Sequence, residues 1–166
     1  MKKSLTPSNA IMIVALLAAS GCGGQRPESS TASQALIDTL TRLITDAYDF
    51  SRPGVVERMS ALYPDTGRVI SASAGHVTTS PDSLRQGITD FWQSVGRNMR
   101  NPKWEWRTVH VDRLGNDAAA LTATWSIPHT APDNQPHVIQ GAWTAVFRRL
   151  NGQWKIVQEH LSVPAP

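Results

Sequence analysis

The side chains of this 166-residue sequence that could do chemistry are few and widely spaced. His110 and Asp112 lie two apart in an alternating run, so on a strand both project from one face, as an imidazole and its carboxylate partner would. Glu159 and His160 are neighbours near the C-terminus, and on a strand they face opposite ways. A general base, if the protein is an enzyme, would come from His160, Glu159 or His110. His129 and His137 flank a loop rich in Pro, Asp and Asn and are expected in solvent. Neither an HExxH nor a CxxC spacing occurs, so no metal and no cofactor is expected.

The single cysteine, Cys22, points to a different chemistry. Lys2 and Lys3 form a positive start, and Ala10 to Ala19 is an apolar run too short to span a bilayer, which takes about 20 residues. Ser20 and Gly21 then place small residues just before Cys22, which resembles a bacterial lipobox. The expectation is a lipoprotein signal peptide over 1–21, with Cys22 acylated as the mature N-terminus. Acylation also disposes of a thiol that has no partner for a disulfide. Each buried methylene contributes about 0.8 kcal/mol, so two or three acyl chains give stable attachment to membrane lipid. The residue after the cysteine is Gly23 and not Asp, so the expected address is the cell envelope, at the periplasmic face of the outer membrane if the cell has two membranes.

Loss of the leader removes two of the 16 basic side chains and leaves 14 against 13 acidic ones, a net charge of +1. Without a basic stripe there is no counterion release to support nucleic-acid binding. From Gly23 to Ser33 the polar, Gly-rich composition reads as a flexible tether, so that the acylated cysteine and tether occupy 22–33 and the domain 34–166.

Leu36, Ile37, Leu40, Leu43, Ile44, Ala47 and Tyr48 fall on one face of a helix, with Asp38, Thr41, Arg42 and Thr45 opposite. Ser51-Arg52-Pro53-Gly54 ends it, and a shorter helix follows from Val55 to Tyr63. Two short strands, Arg68 to Ser73 and His76 to Thr79, are joined at Ala74-Gly75. Ser80-Pro81-Asp82 then supplies an N-cap, a proline at the first helical position and an early acid. The helix it starts carries the stripe Leu84, Ile88, Phe91, Trp92, Val95 and Met99, and Asn101-Pro102 closes it. Thereafter the period drops to 2 in four strands, Trp104 to Leu114, Ala118 to Ile127, Val138 to Arg149 and Gln153 to Val163. Asn151-Gly152 between the last two predicts a type I′ hairpin, because both central residues need positive φ. Three helices followed by a meander that shares one apolar face is an α+β arrangement, with the helices covering one face of a curved sheet.

This order resembles the nuclear transport factor 2-like superfamily, the cone-shaped, cystatin-like fold that includes ketosteroid isomerase and the SnoaL-like proteins. The resemblance is carried by Val109-His110-Val111 with Gly115-Asn116-Asp117-Ala118-Ala119, by Trp143 to Arg149 before Asn151-Gly152, and by Trp154-Lys155-Ile156-Val157 with His160-Leu161-Ser162. It is nearest the SnoaL-like and calmodulin-kinase association-domain branch. It implies a curved antiparallel sheet with three N-terminal helices on the concave face, and a homodimer. It also implies what is missing: the position of the isomerase's carboxylate base is Ser71, that of its second acid is Trp143, and that of the association domain's arginine is Ala145. A serine with no adjacent base cannot abstract a proton next to a carbonyl.

If Trp143 faces inward, alternation takes Gly141, Ala145 and Phe147 with it, and Ala119, Leu121, Ala123 and Trp125 on the preceding strand. The expected lining of the cone is Tyr48, Ser71, Trp92, Trp125, Trp143 and Phe147. The opposite parity, Trp104, Trp106, Trp154 and Ile156, would then leave an apolar patch on the outer face. The function expected from these residues is non-catalytic binding of a small hydrophobic ligand. The alternatives are a SnoaL-like isomerase, cyclase or hydrolase, and a homo-oligomeric interaction module.

Overall fold

The computed structural model describes residues 30–164, and the leader, Cys22 and the tether up to residue 29 lie outside the described residues. Helix α1 (Ser30–Ala47) begins inside the stretch expected to be tether, because Ala32, Gln34 and Ala35 are good helix formers that the polar composition masks. Its buried face is Leu36, Leu40, Ile44 and Ala47. The connection to α2 (Val55–Ser60) is held by Arg58, whose guanidinium donates to the main-chain oxygens of Asp46, Asp49, Arg52 and Pro53. These carbonyls at the end of α1 would otherwise need water.

Strands β1 (Ile70–Ser73) and β2 (His76–Thr78) form the predicted short hairpin, and α3 (Pro81–Ser94) follows. Ser80 caps α3 by accepting the Ser83 amide at 3.2 Å. Ser80→Ala is expected to lower the stability by about 1 kcal/mol, measurable by urea denaturation. The helix is shorter than its apolar stripe suggested. Val95 leaves helical geometry (φ −124°, ψ −62°) and is exposed, and a 3₁₀ turn (Gly96–Asn98) carries the chain on. Gly96 permits this because its backbone lies against Trp92: a Cβ there would stand 2.6 Å from the indole Cε3.

The four long strands are β3 (Glu105–Arg113), β4 (Ala118–Thr130), β5 (Pro136–Leu150) and β6 (Gln153–Ser162). They form one curved, open six-stranded sheet in the order β2-β1-β6-β5-β4-β3, in which only the β1–β6 pair is parallel. Asn151 (φ 50°) and Gly152 (φ 80°) make the predicted hairpin turn. β4 and β5 run on to Thr130 and Pro136, so the expected loop contracts to 131–135. His129 and His137 are therefore not loop flanks: they face each other across the two strands with ring centroids 5.0 Å apart.

Two irregularities decide which side chains point inward. Between Trp106 and Thr108 the pairing of β3 with β4 slips by one, with Arg107 as the extra residue. Between Ile156 and Gln158 the pairing of β6 with β5 does the same, with Val157 extra. Each bulge inverts the parity of the strand that carries it. Trp104 and Trp106 thus pack against the core on the same side as Val109 and Val111, and Trp154 and Ile156 are buried on the same side as Glu159 and Leu161. The outer apolar patch expected from Trp104, Trp106, Trp154 and Ile156 does not exist. The alternation predicted for β4 and β5 holds: Ala119, Leu121, Ala123, Trp125, Trp143, Ala145 and Phe147 are all buried.

Candidate functional site

At the second bulge β6 turns Glu159 into the protein, where its side chain is 4% exposed. Across the parallel pair its register partner is Ser71 on β1, whose Oγ donates to Oε1 at 2.7 Å. Its partner on the other side is Ala145 of β5, small enough to leave room for the carboxyl. Two further donors converge on Oε2: the Tyr63 hydroxyl at 2.9 Å, from the turn after α2, and the Trp143 indole N–H at 3.0 Å, from β5. The carboxylate thus receives three hydrogen bonds from three separate segments.

The electrostatics of the site follow from burial. Desolvation raises the Glu159 pKa above its ordinary value, and the bonds from Ser71, Tyr63 and Trp143 oppose that rise by stabilising the charged form. Burial together with the nearby Glu159 charge pushes the phenols of Tyr48 and Tyr63 upward, so both stay protonated donors.

Glu159 forms part of the wall of a cavity of about 300 Å³. Its polar side is Tyr63, Ser71, Ser73, Thr78, Ser83 and Glu159; its apolar side includes Tyr48, Phe91, Trp104, Trp125, Ile127 and Ile139. Ser73, Ser83 and Gly87 both line the cavity and are exposed, which puts the mouth between β1 and α3. Trp104 and Trp125 stack with centroids 4.9 Å apart and planes at 18°, and Tyr48 packs on Trp104 at 4.6 Å. A largely apolar concave space with a few convergent polar groups and a perturbed carboxyl is the form that small-molecule sites take.

Of the residues expected to line the cone, Tyr48, Ser71 and Trp125 do so. Trp143 lies behind Glu159 and holds it. Phe147 is fully buried in the core below the cavity wall, and Trp92 packs on Phe50 while Phe91 takes the lining position one residue earlier on α3. His110 and His160 are excluded: with Thr122 and Thr144 they form one register row across β3 to β6 on the outer face, where all four are exposed. Asp112, also exposed, shares that outer side. Of the three candidate bases named from the sequence, Glu159 is the one that faces inward, on the strand next to Ser71 and at the same level of the cone. The sequence does hold a signal for it. Apolar residues fall at even positions through Trp154 and Ile156 and then at odd Leu161, a phase change across the doublet Ile156-Val157 that a bulge explains.

Among the described residues no group of three or more His, Cys, Asp or Glu side chains could hold a metal ion, and no helix is long and apolar enough to cross a membrane.

Comparison with known proteins agrees with this architecture. No curated protein sequence matches the chain. Among solved structures, a candidate scytalone dehydratase from Novosphingobium aromaticivorans superposes with a TM-score of 0.64 at 15% identity, over 81% of this chain and 89% of that one. A nuclear transport factor 2-like superfamily protein from Salmonella enterica serovar Typhimurium gives 0.61 at 17% identity, over 84% and 95%. A cystatin-like protein of unknown function from Nostoc punctiforme gives 0.60 at 14% identity, over 81% and 93%. Such distant likenesses establish the fold. The family model described as SnoaL-like domain matches residues 40–166, which contain all of the cavity's lining. With the helices, the curved sheet and the enclosed carboxyl in place, this chain belongs to the SnoaL-like domain family, on the nuclear transport factor 2-like fold.

Proposed function

We propose that the domain binds a small, largely apolar molecule in the cavity and that Glu159 moves a proton on it. The observation that carries this is the buried carboxyl at the wall of an otherwise aromatic and hydroxyl-lined space. A carboxylate kept from water, with its pKa raised by burial, is a stronger base than one in solvent. In the reaction that fits, the ionised Glu159 removes a proton from carbon next to a carbonyl, and the electron pair moves onto the carbonyl oxygen. With an unsaturated ketone the protonated Glu159 then returns the proton to the far carbon of the dienolate, an isomerisation needing no second reactant; with a β-hydroxy ketone the enolate re-forms the carbonyl and expels the hydroxyl, which takes the proton from Glu159 and leaves as water, a dehydration. The Tyr48 phenol, protonated and on the cavity wall, is suited to hold the developing oxyanion. Ser71, Tyr63 and Trp143 fix the carboxyl's orientation. A neighbouring fold named as a candidate scytalone dehydratase is consistent with the second outcome.

The test is direct. Small hydrophobic ketones incubated with the protein in D₂O are expected to exchange their α-protons faster than in buffer, read by NMR. Binding without exchange would return the cavity to the role first expected from the sequence, a passive ligand pocket.

The domain's address and assembly complete the reading. Acylation at Cys22 would attach it to membrane lipid at the cell envelope, on the periplasmic face of the outer membrane in a Gram-negative cell. Cys22→Ser is expected to shift the protein from the membrane pellet to the soluble fraction, and a variant that stays in the pellet would argue against acylation. Homodimerisation would use the outer sheet face, where Thr122 and Thr144 are exposed, and sedimentation of a soluble form measures it.

A further inference from the structure

The charges around the cavity select among ligands. Among the described residues that line it, Glu159 is the one ionisable acid or base, tyrosine apart, and none is Lys, Arg or His. The other polar side chains there carry hydroxyls. Such a wall offers neutral donors to an oxygen atom and no cation to an anion. Burial weakens screening, so the Glu159 charge acts on anything that enters.

We propose that the cavity selects against acids and takes neutral carbonyl or hydroxyl compounds, with Glu159 as the residue that makes the distinction. The inference rests on the cavity being the binding site, and it names the substrate class that site accepts. Two effects exclude a carboxylate or phosphate ligand: repulsion by Glu159, and loss of hydration with no cation to replace it. At about 6 Å and an effective dielectric constant of about 20, the repulsion alone corresponds to roughly 100-fold in affinity. A neutral ketone meets neither obstacle, and its oxygen can accept from the wall hydroxyls.

Three probes of one shape separate these effects: 2-acetylnaphthalene, 2-naphthol and 2-naphthoate, titrated into the full-length protein by calorimetry or by quenching of the wall tryptophans. The ketone and the alcohol are expected to bind, and the acid at least about 100-fold more weakly. In Glu159→Gln, which keeps the shape and removes the charge, the gap is expected to narrow by up to about 100-fold; what remains is the hydration cost. Ser73→Lys, at the exposed mouth and away from the carboxyl's own hydrogen bonds, is expected to strengthen binding of the acid relative to the alcohol. Should the acid bind the unaltered protein as tightly as the ketone, the selection is refuted. An undiminished gap in a folded Glu159→Gln protein removes Glu159 as its cause. If none of the three binds, the cavity reading itself fails and this inference goes with it. Binding of all three neutral and anionic probes with equal strength refutes only the selection.

Discussion

Glu159→Gln is expected to slow proton exchange on a bound ketone by about 10²- to 10⁴-fold, the usual contribution of a positioned general base, while changing stability by less than about 1 kcal/mol. The two readouts part because of how the carboxyl is held. An amide oxygen at the Oε2 position still accepts from Tyr63 and Trp143, and the NH₂ at the Oε1 position meets Ser71, whose hydroxyl can turn to accept. Glu159→Ala differs. It strands a buried indole N–H and two hydroxyls, each of which costs about 1–3 kcal/mol when unpaired, against some relief from removing a desolvated charge. A net loss of about 2–3 kcal/mol is expected in urea denaturation. If glutamine destabilises as much as alanine and leaves exchange untouched, Glu159 is a strut and not a base.

The same carboxyl makes stability depend on pH with a definite sign. Its pKa in the folded protein lies above the ordinary value of 4.5, so between the two the folded state binds more protons than the unfolded chain. Stability therefore falls as pH rises through that window, and the contribution is fully present below it. Asp49, on the surface, has its pKa lowered chiefly by the Ser51 hydroxyl, and acts in the opposite direction at more acidic pH. Glu159→Gln is expected to flatten the slope above pH 4.5 and to leave the acid limb below it unchanged, measured as thermal midpoints across pH.

Much of the fold was legible because local rules and global packing agree along most of the chain. Asn151-Gly152 specified the turn, Ser80-Pro81-Asp82 the start of α3, and strict alternation the inner faces of β4 and β5. The site was harder to read, for one physical reason. Alternation transfers a face assignment along a strand only while no residue is inserted, and both strands that flank the β4–β5 pair on the long sheet contain an insertion. Arg107 hides the inward turn of Trp104 and Trp106, and Val157 hides that of Glu159. Bulges re-aim side chains, so the failure of simple parity falls at the strands that wall the cavity. Pairing across β1 and β6 was also out of reach, since a parallel contact between residues 88 apart in sequence leaves no local mark; it is what sets Ser71 against Glu159.

Gly141 tests this geometry from the other end of β5. It pairs with Trp125 on β4, and its neighbour Ala142 pairs with Ser162, the last residue of β6. A methyl group on Gly141 would lie 2.3 Å from the Ser162 carbonyl oxygen and 3.3 Å from Cζ2 of Trp125. The first contact is with backbone, which cannot rotate aside, so the end of β6 must move away from β5. The second presses on an indole that walls the cavity. Glycine is required here by close approach of another chain segment, not by its dihedral freedom. Gly141→Ala is thus expected to cost about 2–3 kcal/mol, in the upper range for overpacking a well-packed interior, and to weaken binding of an aromatic probe by displacing Trp125. Gly152→Ala, where φ is 80° but nothing lies within 4 Å, serves as the control: it should cost about 1–2 kcal/mol through backbone strain alone and leave probe binding intact. Equal effects of the two substitutions on probe binding would contradict a cavity bounded by Trp125 and the end of β6.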